Sequence, residues 1–287
     1  MRTSTPLRYP GGKGKLTEFI KLIFVQNDLL GGQYLEPYAG GASIALSLLF
    51  HDYVTDIHLN DLNPAVFAFW NSAVNQTDEL CKKIYDTQVT IEEWHRQKHV
   101  FKNHTEHSPL ELGFATFFLN RTNRSGIILA GVIGGKNQTG AWKLDARFNK
   151  DDLIQRVERI GQFRNQIHLY NMDAKDLILD IIPTLSPKTL VYLDPPYYVK
   201  GSGLYQNHYT HDDHEEIANL VQKNIKQPWI VSYDSTVEIV GMYSKCPKIM
   251  YGLNYSAQTR YEGAEAMFFS KKLLVPDVGN PAKLKAS

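Results

Sequence analysis

The chain has little cysteine and no excess of charge of either sign. Its 287 residues include only Cys81 and Cys246, which are far apart in the sequence and belong to no C-x-x-C pair. This argues against a disulfide framework or a structural zinc site, and we predict a cytoplasmic location. The 31 Lys and Arg residues oppose 30 Asp and Glu residues. That balance excludes a protein that coats nucleic acid by bulk charge, but it leaves room for a local basic face.

Several other signatures are missing. No apolar run approaches the roughly 18 residues that a membrane span requires, and no signal-peptide pattern opens the sequence. The G-x-G-x-x-G fingerprint of dinucleotide-binding folds is also lacking, which argues against a nicotinamide oxidoreductase. Lys13 is not preceded by G-x-x-x-x-G, so the glycine-rich N-terminus is not a P-loop.

Strand-like and helix-like segments alternate at both ends of the chain. Short strand-like segments such as 33–37, 57–61, 167–171, 190–193 and 229–233 alternate with segments of helical spacing. We therefore predict an α/β fold with a doubly wound, mostly parallel sheet. The alternation is lost between them, which indicates an inserted, mainly helical subdomain. The predicted organisation is a first half (1–75), an insert (76–150), a second half (151–275) and a flexible tail (276–287).

The strongest local signal follows the apolar run 190–193. It is Asp194-Pro195-Pro196-Tyr197, and ligands of open α/β sheets bind beyond the carboxyl ends of strands. Two prolines stiffen the backbone and remove two N–H groups, so carbonyls are left to point outward. A carboxylate, a carbonyl and an aromatic ring suit a planar amino group on a ring. The tetrapeptide alone is equally consistent with a proline-rich turn that ends a strand.

Two glycine-rich segments could hold a ligand. Glu36-Pro37-Tyr38-Ala39-Gly40-Gly41-Ala42-Ser43 lies at a predicted strand-to-helix turn, where glycines allow close approach and the helix N-terminus favours an anion. Asp61 lies about twenty residues further on, where nucleotide-binding folds place a ribose-binding acid. The third segment is Leu7-Arg8-Tyr9-Pro10-Gly11-Gly12-Lys13. Each could also be structural: a tight turn, a helix cap and a flexible N-terminal turn.

In this order, these motifs resemble those of the Dam-like DNA adenine methyltransferases. Asn60-Asp61-Leu62-Asn63, and Arg260 five residues before Glu265, complete the resemblance, which extends from about Pro6 to Lys271. It implies a Rossmann-like methyltransferase fold, S-adenosylmethionine as methyl donor, double-stranded DNA as substrate and no metal. A restriction or phage-defence system with partner proteins is one biological setting that it suggests.

The resemblance also implies roles for individual residues. Catalysis would involve Asp194, Pro195, Pro196 and Tyr197, with Tyr197 stacking on an adenine that is flipped out of the duplex. Cofactor contacts would come from Tyr9, Lys13, Glu36, Pro37, Gly40, Gly41, Asp61, Asp173 and Asp194. The family often has Trp-Ala where this chain has Tyr9-Pro10.

The most one-sidedly basic stretch of the chain lies in the predicted insert. It begins at 120–126 and continues through Lys136 to Lys150. Arg and Asn pair with guanine and adenine edges, and we predict DNA contacts from Asn120, Arg121, Asn123, Arg124 and Lys136. The alternative is a solvated surface loop. Residues 201–209 are predicted to close over the flipped base.

Three other functions remain open. The same tetrapeptide could serve the N4 amine of cytosine or an adenine in RNA. An inactive DNA-binding or S-adenosylmethionine-sensing module is a different class. The joint presence of Lys13, Asp61, Asp194 and Tyr197 argues against it.

Overall fold

The computed structural model describes residues 4–8, 13–199, 209–255 and 261–284. The chain divides into two compact units. Unit 1 comprises Met1–Gly12 and Asn63–Leu169, and unit 2 comprises Lys13–Leu62 and Tyr170–Ser287. The predicted organisation into two halves, an insert at 76–150 and a tail stays a prediction.

The helices and strands follow in chain order. The helices are α1 (Thr17–Gln26), α2 (Ser43–Phe50), α3 (Pro64–Asn75), α4 (Thr77–Asp86), α5 (Ile91–Lys102), α6 (Pro109–Thr122), α7 (Lys150–Gln162), α8 (Ala174–Asp176), α9 (His211–Asn224) and α10 (Val237–Met242). The strands are β1 (Gly32–Glu36), β2 (Val54–Asn60), β3 (Ile167–Tyr170), β4 (Thr189–Leu193), β5 (Trp229–Asp234), β6 (Lys248–Tyr255) and β7 (Tyr261–Phe269).

Within the described ranges, seven strands form one sheet in the order β3-β2-β1-β4-β5-β7-β6. Strand β1 pairs in parallel with β2 and with β4, and β4 pairs in parallel with β5. Strand β7 is antiparallel to both β5 and β6. The predicted mostly parallel α/β sheet is confirmed. Of the last two strands, β7 lies inside the sheet and β6 lies at its edge.

The strand order reverses between β1 and β4. The chain proceeds from β1 to β2 on one side and from β4 to β5 on the other. Because parallel crossovers are right-handed, this reversal places the connecting helices on opposite faces of the sheet. Neighbouring β1 and β4 then open a crevice at their carboxyl ends, which is where α/β sheets bind ligands.

The central strands of unit 2 are buried on both faces. Every residue of β4 and β5 is buried, as expected of parallel strands that are covered by helices on either side. The core includes Val191, Val231 and Phe268, which are fully buried. Such strands end where the apolar run ends, so the first polar residues after them lie at the sheet edge.

Unit 1 is mainly helical in its described part. Helix α6 packs against α3 and α5, and α4 packs against α7. The start of α6 is fixed by a capping box between Ser108 and Glu111. Gly113 allows α6 and α3 to approach closely, since a Cβ there would lie 2.5 Å from the Ala68 carbonyl oxygen. The glycine-rich tract that follows α6 is mostly irregular, with one isolated bridge between Asn123 and Val132.

Candidate active site

Asp194 follows the last residue of β4 at the carboxyl edge of the sheet. Pro195 and Pro196 cannot donate ladder hydrogen bonds, so the strand ends there. The Asp194 Oδ1 atom accepts a hydrogen bond of 2.9 Å from Ser232 Oγ on β5, and it lies 3.0 Å from Lys13 Nζ. The side chain is 22% exposed, and Oδ2 makes no hydrogen bond with any residue that the structure describes. One oxygen of Asp194 is thus fixed, and the other can accept a ligand donor.

Lys13 is a buried cation between two carboxylates. Its Nζ lies 3.0 Å from Asp194 and 3.5 Å from Glu265, and it donates to the Tyr197 hydroxyl. Burial by itself lowers the pKa of Lys13, but Asp194 and Glu265 outweigh that effect and raise it above its ordinary value. The side chain therefore keeps its positive charge at physiological pH.

Glu265 on β7 is completely buried beside this cation. Its Oε1 accepts a hydrogen bond from the Tyr197 hydroxyl, and its Oε2 accepts one of 2.9 Å from Tyr251. Burial raises the pKa of Glu265, and the charge of Lys13 opposes that rise. In the register of the sheet, Glu265 lies opposite Asp234 on β5 and Tyr251 on β6. The sequence reasoning included Glu265 in a motif but gave it no role.

The turn after β1 carries the second motif. Glu36 ends β1, is buried, and accepts a hydrogen bond of 3.1 Å from the Tyr34 hydroxyl. Burial is the main reason that the pKa of Glu36 rises to about 8, and the nearby Asp194 contributes. Beyond Pro37, Gly40 has a φ of +45° and Ala42 has a φ of +46°. A left-handed alanine is strained, and such strain is concentrated at ligand sites.

The same turn is tied to the end of β2. The Gly40 N–H donates to Asp61 Oδ2 at 3.0 Å. Gly41 follows in the turn, and α2 begins at Ser43 without a side-chain cap from its N-cap residue; in its first turn, the Ala45 N–H donates to Glu36. Three motif segments, those of Lys13, Glu36–Gly41 and Asp61, therefore lie with Asp194 in unit 2 at the carboxyl edge of its sheet.

Asn60 is a positioning residue that belongs to a sequence motif but to which the sequence assigned no role. Its side-chain amide donates to the carbonyl oxygens of Pro37 at 2.9 Å and Met172 at 3.0 Å. Its Oδ1 accepts from the Met172 N–H at 3.1 Å. Asn60 thereby ties the turn after β1 to the segment after β3. Asp173 in that segment caps α8 by accepting from the Lys175 N–H at 2.8 Å.

Comparison with known families decides the class of this site. Residues 9–258 match the sequence model of the D12 class N6 adenine-specific DNA methyltransferases. The chain belongs to this family. The resemblance to Dam-like enzymes is confirmed, and the protein is a methyltransferase. No curated protein matches the chain in sequence.

Solved structures that match the chain are distant from it in sequence. One is a Pyrococcus horikoshii protein described as a candidate RNA methyltransferase, at 8% identity and a TM-score of 0.42, covering 88% of this chain and 81% of that chain. Another is the rRNA methyltransferase AviRa of Streptomyces viridochromogenes, at 10% identity and a TM-score of 0.38, covering 88% and 83%. At these values, neither likeness indicates a substrate for the D12 methyltransferase.

In unit 1 of the D12 methyltransferase, three of the predicted DNA-binding residues make internal contacts. Asn120 is 1% exposed and bonds the backbone of Arg8 through both amide atoms, at 2.7 and 2.8 Å. Asn123 is equally buried and accepts from Trp94 Nε1 at 2.7 Å. Arg121 donates to the Arg147 carbonyl oxygen at 2.7 Å. Burial, assisted by the charge of Arg8, lowers the pKa of Arg121 to about 10.

The other two predicted DNA-binding residues, Arg124 and Lys136, are exposed. Lys143 and Arg147 are exposed as well, and the Arg147 guanidinium lies 5.9 Å from the ring centroid of Trp142. Trp142 is itself 69% exposed. The accessible positive charge of this stretch therefore lies after Asn123.

Some predicted residues lie outside the part of the chain that the structure describes. They are Tyr9, Arg260 and nearly all of the segment 201–209. Across the described ranges, no cluster of three or more His, Cys, Asp or Glu side chains could hold a metal ion. None of the helices found there is long and apolar enough to cross a membrane.

Proposed function

We propose that this methyltransferase transfers the methyl group of S-adenosylmethionine to the exocyclic N6 amine of adenine in double-stranded DNA. The observation that carries the proposal is the state of Asp194 in a chain of this family. Lys13 and Ser232 hold its Oδ1, while Oδ2 makes no hydrogen bond with a described residue. Because the carboxylate is held in place beside the Pro195 backbone, its Oδ2 is suited to accept a hydrogen bond from an amine.

The residues at the sheet edge fit the proposed methyl donor. The left-handed Gly40 and Ala42 bring backbone close to a ligand, and the N-terminal end of α2 suits the carboxylate of the donor. Asp61 would bind a ribose hydroxyl, and Asp173 would lie near the donor's adenine, as the sequence predicts. Asp194 and Glu265 lie on either side of Lys13, so two carboxylates oppose one ammonium at the site, which favours a positively charged ligand. The donor supplies an activated methyl group on a sulfonium.

The work left to the protein is orientation. The lone pair of the amine is delocalised into the base, so the nitrogen is a poor nucleophile. Hydrogen bonds to Asp194 and to the Pro195 carbonyl would favour a tetrahedral nitrogen that faces the methyl group. Orientation of this kind can contribute roughly 7–11 kcal/mol. An early general base is not needed, and Asp194 is positioned to accept the proton after transfer.

DNA would reach this site as a flipped base. An amine inside a duplex is inaccessible, and enzymes that act on bases extrude them. We retain the prediction that the Tyr197 ring stacks on the base; its hydroxyl, held by Lys13 and Glu265, would fix the plane of the ring.

DNA contacts would come first from the exposed Arg124 and Lys136. Contacts from Asn120, Arg121 and Asn123 would require them to exchange their present internal hydrogen bonds. A cytoplasmic location and restriction or defence partner proteins remain predictions.

The test is product analysis with labelled donor. The full chain is incubated with methyl-labelled S-adenosylmethionine and unmethylated DNA, and in parallel with RNA of the same sequence. Digested nucleosides are then separated by mass spectrometry. The proposal expects labelled N6-methyladenine from DNA and its loss in Asp194→Ala.

Any other result would favour one of the alternative functions or reject the role of Asp194. Labelled N4-methylcytosine, or label only in RNA, would favour the alternative methyltransferases. Binding of DNA and donor without any transfer would favour an inactive module. Asp194→Ala with near wild-type activity would reject the proposed role of Asp194.

A further inference from the structure

Glu265 does not touch Asp194, yet the two carboxylates share one cation. Lys13 Nζ lies 3.0 Å from Asp194 Oδ1 and 3.5 Å from Glu265 Oε2. The Tyr197 hydroxyl adds a second link, because it accepts from Lys13 and donates to Glu265. We propose that Glu265 is a positioning residue that fixes the orientation of Asp194 through Lys13 and Tyr197. This inference rests on the proposed function of Asp194.

The surroundings of Glu265 make a purely structural role a poor explanation. The residues that follow it on β7, Ala266 to Phe269, are all fully buried and apolar. A buried carboxylate is costly, and replacing a buried ion pair with apolar side chains is often neutral or stabilising. Packing alone would therefore be served by an apolar residue. The two Glu265 oxygens instead receive Tyr197, Tyr251 and the charge of Lys13.

The second carboxylate determines where the lysine ammonium rests. An ammonium has three donors and no fixed plane, so it moves toward whichever acceptors remain. Held between Asp194 and Glu265, Lys13 engages Oδ1 of Asp194. Without the charge of Glu265, the ammonium would move toward Asp194 and compete for Oδ2. That oxygen is the one proposed to receive the target amine, so Glu265 keeps it available.

The Tyr197 hydroxyl makes this network sensitive to the loop after β4. Tyr197 lies only three residues beyond Asp194, and its hydroxyl binds both Lys13 and Glu265. Strand β7 thus holds the Asp-Pro-Pro-Tyr loop through the hydrogen bond between Glu265 and Tyr197, the last residue of the loop motif. Removing this one hydroxyl would release the loop from β7 without removing any charge.

The experiment compares Glu265→Gln and Tyr197→Phe with Tyr243→Phe. The Tyr243 hydroxyl is buried in the same unit and has no hydrogen-bond partner among the residues that the structure describes, so its removal matches the loss of a buried hydroxyl outside the network. Each full-length variant is measured for single-turnover methyl transfer at saturating donor and DNA, for donor Kd, and for melting temperature. Crystal structures of wild type and Tyr197→Phe report the orientation of Asp194.

We expect both network variants to slow methyl transfer about 10- to 100-fold, as displacement of a positioned group does. Donor Kd should change by less than about threefold, because an effect on orientation appears in the chemical step. In crystals of Tyr197→Phe, Asp194 should occupy more than one orientation or turn both oxygens toward Lys13. Tyr243→Phe should retain the wild-type rate.

Several outcomes would overturn the inference. One is wild-type transfer by either network variant, and another is an equal loss in Tyr243→Phe. A loss confined to donor binding would also contradict it. If Glu265→Gln fails to fold, Tyr197→Phe decides alone. If the wild-type protein methylates no DNA, the proposed function is rejected instead. An unchanged Asp194 in crystals of Tyr197→Phe would reject the positioning role whether or not the protein methylates DNA.

Discussion

Replacing Glu36 with glutamine should make the protein more stable, and increasingly so as the pH rises. The carboxyl of Glu36 is buried, and its pKa is raised from the ordinary 4.5 to about 8. Glutamine has nearly the shape of the protonated acid. Its amide oxygen can accept the hydrogen bond that the Ala45 backbone gives Glu36, and the Tyr34 hydroxyl can rotate to accept from the amide N–H. The variant therefore removes the ionisation and preserves the packing.

The sign follows from proton linkage. Between about pH 4.5 and pH 8, the unfolded chain has lost a proton that the folded protein still holds at Glu36. The free energy of unfolding must therefore decrease as pH rises through this range. Since one pKa unit corresponds to about 1.4 kcal/mol, the full rise corresponds to about 5 kcal/mol. From about pH 6 to about pH 9, Glu36→Gln should gain about 3 kcal/mol over wild type.

Urea unfolding of the donor-free protein, followed by circular dichroism at several pH values, measures this difference. Subtracting wild type from variant cancels the titration of all other groups. Glu215→Gln, which removes an exposed carboxylate of the same unit, is the control, and the difference for Glu36→Gln should increase with pH more steeply than the difference for this control. A Glu36→Gln difference that rises no more steeply than that of the control, or that decreases with rising pH, would refute the reasoning.

Three further predictions concern a helix contact, a buried asparagine and DNA binding. Gly113→Ala should destabilise the protein by about 1–3 kcal/mol in thermal unfolding, although alanine favours helices. The reason is that its Cβ would lie 2.5 Å from both the Ala68 carbonyl oxygen and Ser72 Oγ. An increase in stability would contradict the close packing. Asn60→Ala should cost about 2–3 kcal/mol in urea unfolding, since three hydrogen bonds are lost, and it should weaken donor binding measured by calorimetry. The double variant Lys136→Ala, Lys143→Ala should reduce the salt dependence of DNA binding by about one to two phosphate contacts. The control double variant Lys223→Ala, Lys226→Ala on unit 2 should leave that salt dependence unchanged. Equal effects of the two double variants would place the DNA elsewhere.

The buried asparagines show that residue type alone leaves the role of an amide open. Asn120 and Asn123 were predicted to contact DNA because asparagine pairs with adenine edges. In the structure their amides bind Arg8, Trp94 and nearby backbone. An amide that reads a base and an amide that satisfies a buried backbone use the same donors and acceptors. Only burial separates the two, and burial at these positions depends on how distant segments pack.

The sequence by itself determined the α/β fold class and the family, and it predicted the edge of the sheet at which the site lies. These features depend on local patterns: apolar runs that end in polar residues, and glycines at turns. The tertiary structure decided that β7 enters the sheet beside β5, which brings Glu265 within 3.5 Å of Lys13. It also decided that Asn60 joins two loops and that Gly113 lies against α3. Such pairings join segments far apart in the chain, so no local pattern specifies them.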